Sequence, residues 1–280
     1  MKMLSFNVER FIILSTSMLM LFYTLCFADI NASVYWECSE AENNSTDDDI
    51  AFRTTLNNLL NSLAAEGADH NGFYKTTEGK RSNRVYGLVQ CRGDISASDC
   101  ANCTKQSITL ASHDCSQSKN VKVWFNWCFL RYSDVGFFGV WDQTSVAKAN
   151  DTNFDDPSVV SGGFSMMTEL ATTTSGLPLM FQTAVFDAGQ SGKRYGMAQC
   201  NRDISRSDCG KCLNDQLMTF RTTVGNKRGW EIYGSSCCMW YHDFQFYSNI
   251  SAPSGVGRMS SHSAVETGMI VAVLGFLLRL

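Results

Sequence analysis

YGLVQCRGDISASDCANC, from Tyr86 to Cys103, returns 109 residues later as YGMAQCNRDISRSDCGKC, from Tyr195 to Cys212. Eleven of these eighteen positions are identical, and both copies carry C-x8-C-x2-C, at Cys91, Cys100, Cys103 and at Cys200, Cys209, Cys212. A repeat at this period is too long for a solenoid unit and has the size of a small domain. The chain therefore reads as two copies of one module, and its function belongs to a duplicated, cysteine-bearing scaffold.

Around the repeat, five segments are expected. Residues 1–28 read as a secretory signal: Lys2 and Arg10 form a basic start, Phe11 to Cys26 is largely apolar, and Cys26-Phe27-Ala28 offers a cleavage site. A signal anchor that stays attached is the competing reading. Module one spans 29–142, a polar linker 143–156 (DQTSVAKANDTNFD), and module two 157–248. Residues 249–280 form a polar spacer and a short apolar tail, GMIVAVLGFLL from Gly268 to Leu278. That run is shorter than the roughly 20 residues a spanning helix needs. Small residues, a spacer and a short apolar end resemble a signal that is exchanged for a glycolipid anchor; a membrane tail and a free secreted terminus are the alternatives.

Export is supported by N-x-S/T sequons at Asn31, Asn43, Asn44, Asn102, Asn150 and Asn249. Asn31, Asn44, Asn150 and Asn249 are the expected glycosylation sites; Asn102 lies inside the cysteine motif and is expected to escape. The net charge is −4, with no basic patch of the kind nucleic acid requires. Twelve cysteines in an exported chain signify disulfides, because the secretory pathway is oxidising and small domains need staples.

Each copy reads as helix, strand, helix, then strands. Phe52, Leu56, Leu59 and Leu63 recur at helical spacing over 48–65, and the counterpart helix is expected over 164–173. Strands are expected at 85–90 and 194–199. Ser96-x-x-Asp99 and Ser205-x-x-Asp208 mark the starts of second helices. Further strands are expected at 121–125 and 132–141, and at 230–233 and 241–247. The order indicates an α+β fold.

A shift of 109 matches Cys91, Cys100, Cys103 and Cys128 to Cys200, Cys209, Cys212 and Cys237, and leaves Cys38 and Cys115 without counterparts. Two cysteines lost together were partners, which implies a Cys38–Cys115 bridge. The remaining four in each copy permit three pairings. Cys238 is left over, as a free thiol, an intermolecular bridge or a partner for Cys212.

Other chemistries fit poorly. Zinc would need His113 or His242 to complete a C-x2-C pair, and export favours disulfides instead. A redox C-x2-C must keep both thiols free, yet a third cysteine lies nine residues upstream of each pair. Only four histidines occur, none in a nucleophile motif, so neither an enzyme nor a metal or other cofactor is expected. Tyr86, Trp124, Trp127, Phe137, Phe138, Trp230, Trp240 and Tyr241 could stack on sugars, but at strand spacing they read as core.

The duplicated cysteine string, NGFYKTTEG at Asn71–Gly79, YGLVQCRGDIS at Tyr86–Ser96 and C-x2-R-Y at Cys128–Tyr132 resemble the plant cysteine-rich repeat secretory proteins. Their ginkbilobin-like, stress-antifungal module also builds the ectodomains of cysteine-rich receptor-like kinases. The resemblance covers 33–140 and 154–248. It implies two tandem domains, each with two helices on a five-stranded antiparallel sheet, stapled by disulfides. The implied bridges are Cys38–Cys115, Cys91–Cys100 and Cys103–Cys128, then Cys200–Cys209 and Cys212–Cys237, with Cys238 spare. Trp240 departs from the family string, which has arginine there.

The family's mannose-binding positions fall on Ser39, Lys122 and Ser133 in copy one. In copy two the first position is expected to be lost with its cysteine, and the others are Glu231 and His242. These residue types do not reproduce bidentate arginine and carboxylate recognition of vicinal hydroxyls, so that site is expected to be absent from both copies. The resemblance implies a non-enzymatic binding module of the apoplast or the outer plasma-membrane face, in defence or stress responses. Candidate partners are a carbohydrate, a receptor-like kinase ectodomain or a second copy of the chain, with the C-terminal tail as a candidate membrane attachment. The alternatives are a membrane-held regulator of the plasmodesmata-located type and a mannose-binding antifungal lectin.

Overall fold

The computed structural model describes residues 31–40, 47–80, 83–154 and 156–248. The signal segment, the C-terminal tail and the sequons at Asn43, Asn44 and Asn249 lie outside the described residues. In the first repeat the order is β1 (Ser33–Cys38), α1 (Asp47–Glu66), β2 (Phe73–Glu78), β3 (Val85–Cys91), α2 (Ala97–Asp114), β4 (Asn120–Phe125) and β5 (Cys128–Ser133). The second repeat runs β6 (Ser145–Ala149), α3 (Pro157–Thr173), β7 (Phe181–Asp187), β8 (Lys193–Cys200), α4 (Arg206–Thr219), β9 (Trp230–Gly234) and β10 (Cys237–His242), with a short helical turn α5 (Arg221–Val224) before β9. Two five-stranded antiparallel sheets result, ordered β1-β4-β5-β3-β2 and β6-β9-β10-β8-β7.

Local chemistry sets the helix starts. Ser96 Oγ accepts from the Asp99 backbone N at 3.1 Å and donates to Asp99 Oδ2 at 2.7 Å, and Ser205 repeats this with Asp208 at 3.0 and 2.8 Å. Each pair satisfies a donor that an uncapped first turn would leave open. The start of α3 is set by Asp156, whose carboxylate accepts from Ser158 N at 2.8 Å, with Pro157 in the first turn. The helix therefore begins at 157, seven residues before the apolar spacing alone suggests.

One face of each sheet carries its helices. Phe52, Leu56, Leu59, Leu60 and Leu63 of α1 bury against Val85, Val89, Val121, Val123, Leu130 and Tyr132. The approach is closest at Gly87, where an added Cβ would lie 2.4 Å from Leu59 Cδ2; its counterpart Gly196 would meet Met167 Sδ at 2.6 Å. Five disulfides join Cys38–Cys115, Cys91–Cys100, Cys103–Cys128, Cys200–Cys209 and Cys212–Cys237. Where Cys38 and Cys115 stand in repeat one, repeat two has Ala149 and Val224, which pack into its core.

The opposite faces of the two sheets bury each other. Leu88, Trp124, Phe129 and Phe137 of repeat one interleave with Phe181, Met197, Tyr233 and Trp240 of repeat two. Polar bonds across this seam are reciprocal. Gly93 N donates to Gln199 Oε1 at 3.1 Å, and Arg202 N, 109 residues on, donates to Gln90 Oε1 at 3.2 Å. Gln199 Nε2 also donates to the Cys91 carbonyl at 2.8 Å, and Trp124 Nε1 to the Gly234 carbonyl at 3.1 Å. A buried bidentate pair closes one end: Arg92 meets Asp94 at 2.7 and 3.0 Å, donates to the Phe246 carbonyl at 3.2 Å, and stacks over Trp240.

Two expectations need correction. Residues 143–156 are not merely a linker, because β6 lies inside them and forms the edge of the second sheet against β9. Val146 turns into the seam and Ala147 and Ala149 into the helix-side core, so small residues supply the alternation there. The strands placed at 132–141 and 241–247 instead end at Ser133 and His242, and Phe137, Phe138 and Phe246 beyond them lie in loops that fold back over the seam.

The Cys38–Cys115 bridge closes 77 residues of sequence. Its removal in a Cys38→Ala, Cys115→Ala variant should cost about 4 kcal/mol through the unfolded chain. The second repeat folds without a counterpart, so the variant is expected to be secreted with lowered Tm; thermal unfolding of the purified protein measures the loss.

Candidate functional site

The three positions singled out in repeat one occupy one corner of its sheet, where β1 ends, β4 begins and β5 ends. Ser39 is exposed, and its Oγ accepts from Asn120 N at 3.2 Å while its backbone N donates to the Asn120 carbonyl at 2.9 Å. Asn120 pairs in register with Ser133, which is buried and accepts from Val135 N at 3.0 Å. Lys122 is also buried, and its ammonium lies 3.3 Å from Glu37 and 3.0 Å from Asp142, which pairs in turn with Arg131 at 3.2 Å. The two cations of the corner, Lys122 and Arg131, are thus already paired with its two carboxylates. Burial raises the Asp142 carboxyl pKa, but bonds from Thr144 and Lys122 outweigh it and hold the group at about 2.

Strand register locates the corresponding corner of repeat two. Cys38 pairs with Val121, and Ala149 with Trp230; Ser39 N bonds the Asn120 carbonyl, and Asn150 N bonds the Gly229 carbonyl at 2.9 Å. The counterpart of Ser39 is therefore Asn150, and the first position is not lost with its cysteine. Only β6, which the polar composition of 143–156 concealed, reveals this. Asn150 and His242 converge over Gly229: a Cβ there would lie 3.1 Å from Asn150 Nδ2 and 2.5 Å from His242 Nδ1. Glycine is required for that approach.

The other two positions, Glu231 and His242, meet directly. His242 Nε2 lies 3.0 Å from Glu231 Oε1, and Tyr233 OH donates to Glu231 Oε2 at 2.6 Å. Burial raises the Glu231 pKa, yet the bonds from His242 and Tyr233 prevail and bring it below the usual carboxylate range. The same desolvation, with the Glu231 charge, pushes the Tyr233 hydroxyl far up. A carboxylate clamped between two donors beside a firmly protonated tyrosine offers no activated nucleophile.

The two corners are charge-reversed. Repeat one sets Glu37 opposite Lys122, and repeat two sets Lys148 opposite Glu231 at the same register. Trp240 replaces Arg131 on the seam, packing against the tilted ring of Tyr233 at 5.3 Å between centroids, so the arginine of the first repeat becomes apolar contact in the second.

Cys238 takes the register position of Phe129, since each faces the matching glutamine of the neighbouring strand. It makes no bridge among the described residues and lines a cavity of about 50 Å³ in the seam, with Trp124, Met197 and Tyr233. Burial pushes its thiol up to about 12, against a weaker opposing pull from Arg92. At neutral pH it is an apolar filler, not a nucleophile.

The expected glycosylation residues differ in setting. Asn31 has both ends of its amide bonded: Nδ2 donates to Gln106 Oε1 and Oδ1 accepts from Trp127 N at 3.3 Å. Asn102 is exposed on α2, but Thr104 of its sequon is buried and its hydroxyl donates to the Cys100 carbonyl at 2.9 Å. Asn150 is exposed at the end of β6.

Comparison with known proteins matches this architecture. Residues 37–135 and 157–244 each match the family described as salt stress response/antifungal. Cysteine-rich repeat secretory protein 38 of Arabidopsis thaliana is 32% identical over 220 residues, covering 77% of this chain and 86% of that protein. The antimicrobial ginkbilobin-2-like protein of Castanea crenata is 29% identical over 83% of this chain and 96% of its own. Among solved structures, the tandem DUF26 ectodomain of the Arabidopsis thaliana cysteine-rich receptor-like protein PDLP8 superposes with a TM-score of 0.65 at 26% identity, over 75% of this chain and 98% of that one. The corresponding PDLP5 ectodomain gives 0.63 at 25% identity, over 76% and 99%.

The Asp142 carboxyl sets an acid limit. Its folded pKa of about 2 lies below the unfolded value, so the stability it confers is complete above about pH 4 and is lost as pH falls towards 2. Denaturant melts at pH 6 and pH 2.5 should show wild type losing about 2 kcal/mol more between the two conditions than Asp142→Asn.

Proposed function

Because the chain belongs to the salt stress response/antifungal family of secreted cysteine-rich proteins, we propose that it acts as a non-enzymatic binding module outside the plant cell, in defence or stress responses. The observation that carries this reading is the fate of the corner in repeat one. Lys122 is held by Glu37 and Asp142, Ser133 is turned inward, and no free cation or carboxylate remains there to grip vicinal hydroxyls. Recognition then falls to the outer surfaces of a rigid two-sheet body. A receptor-like kinase ectodomain built from the same modules is the favoured partner class, ahead of mannose.

A second reading is favoured by the likeness to the PDLP8 and PDLP5 ectodomains. In it the same body is held at the membrane and regulates communication between cells. No helix among the described residues is long and apolar enough to cross a membrane; the tail beyond residue 248, outside those residues, is the candidate attachment. Release of the protein from membranes by a phosphatidylinositol-specific phospholipase supports a lipid anchor, and retention supports a spanning tail.

The purified secreted chain is expected to bind at least one receptor-like kinase ectodomain in a surface-plasmon panel and to leave mannan columns unretarded. Retention on mannan, eluted by free mannose, overturns the protein-partner reading.

A further inference from the structure

We propose that Asn150 is N-glycosylated and that the first sugar of its glycan lies against His242 and Phe244, so that the corner of repeat two holds a saccharide of the protein's own. This goes beyond the binding-module reading and does not depend on the identity of the external partner.

The sequon Asn150-Asp151-Thr152 lies in the exported body of the chain, and all three residues are exposed. Among the sequons in the described residues it alone combines an unbonded asparagine amide with an exposed threonine. The Asn31 amide is bonded at both ends, and the Asn102 sequon has its threonine buried beside the Cys103–Cys128 disulfide. The Asn150 side chain has no hydrogen-bond partner among the described residues; only its backbone N is tied down, to Gly229. The attachment atom Nδ2 is the atom that approaches Gly229.

The surroundings suit a sugar ring. The room that Gly229 leaves is taken by Asn150 Nδ2 and His242 Nδ1, which sets the attachment atom beside the imidazole. His242 Nε2 donates to the Glu231 carboxylate, which fixes the orientation of the ring beside Asn150. Beyond His242, at 4.7 Å between centroids, lies the ring of Phe244, which is 57% exposed. The C–H face of a pyranose laid over that ring would remove apolar surface that nothing else in the described chain covers.

The chemistry is the transfer of an oligosaccharide from a polyprenyl-diphosphate donor. The bond from sugar C1 to the donor's diphosphate oxygen breaks, and the diphosphate leaves with the electron pair. A new bond forms from Asn150 Nδ2 to C1, and one amide proton is released.

The test uses the full chain secreted from plant cells. Peptide-N-glycosidase in heavy-oxygen water should convert Asn150 to a labelled aspartate, read by mass spectrometry. Thr152→Ala keeps Asn150 and removes the sequon, and should abolish the label. Chymotrypsin should then cut after Phe244 about tenfold faster in the variant than in wild type, because the ring is uncovered. Enzymatic deglycosylation of native wild type should give the same acceleration, and it serves as the second measurement if the variant is not secreted. An unlabelled Asn150, or cleavage rates equal with and without the glycan, overturns the proposal. Failure of the receptor panel would leave both results unaffected.

Discussion

Each sheet of this protein has two apolar faces and only one set of helices. Val89, Val121 and Leu130 need cover on one side of the first sheet, while Leu88, Trp124 and Phe129 need it on the other. The other repeat supplies the second cover. Duplication is therefore a requirement of burial, because a single module would leave its seam face in water. The reciprocal bonds of Gln90 and Gln199 then fix the alignment, since each glutamine reaches the same backbone position of the opposite repeat. Arg92 and Asp94, buried together, tie the last described loop to the first repeat.

Much of this was legible in the residues and some was not. The duplicated cysteine string and the joint loss of two cysteines pointed to the modules and to the Cys38–Cys115 bridge. Helix α1 announced itself because four large apolar residues recur on one face. Strand β6 did not, because alanines and a lone valine carry its alternation and polar residues flank it. That omission propagated to the site, since the counterpart of Ser39 can be found only from the pairing of β6 with β9. The seam was concealed for a related reason. A strand buried on both faces, such as β3, shows a continuous apolar run without the alternation that reports a solvent face.

The corners show how a scaffold persists while its chemistry changes. In repeat one a lysine and an arginine neutralise two carboxylates, and an inward serine adds nothing to bind. In repeat two a histidine, a glutamate and an asparagine gather around a glycine. Backbone geometry is the same in both, because it depends on register and on the seam. The side chains that would meet a ligand depend on neither, so they vary freely.

The reversal of Glu37–Lys122 into Lys148–Glu231 bears on how a duplicated chain finds its own partners. β1 on β4 and β6 on β9 occupy the same place and register in the two sheets, so the backbone alone does not tell β1 to choose β4 over β9. Such an exchange would set Glu37 against Glu231 and Lys148 against Lys122, like charges directly opposed on adjacent strands. Cross-pairing between tandem domains is a common misfolding route. The inverted ion pair thus adds to the address of each edge strand, and helps two halves of one fold assemble side by side without trading parts.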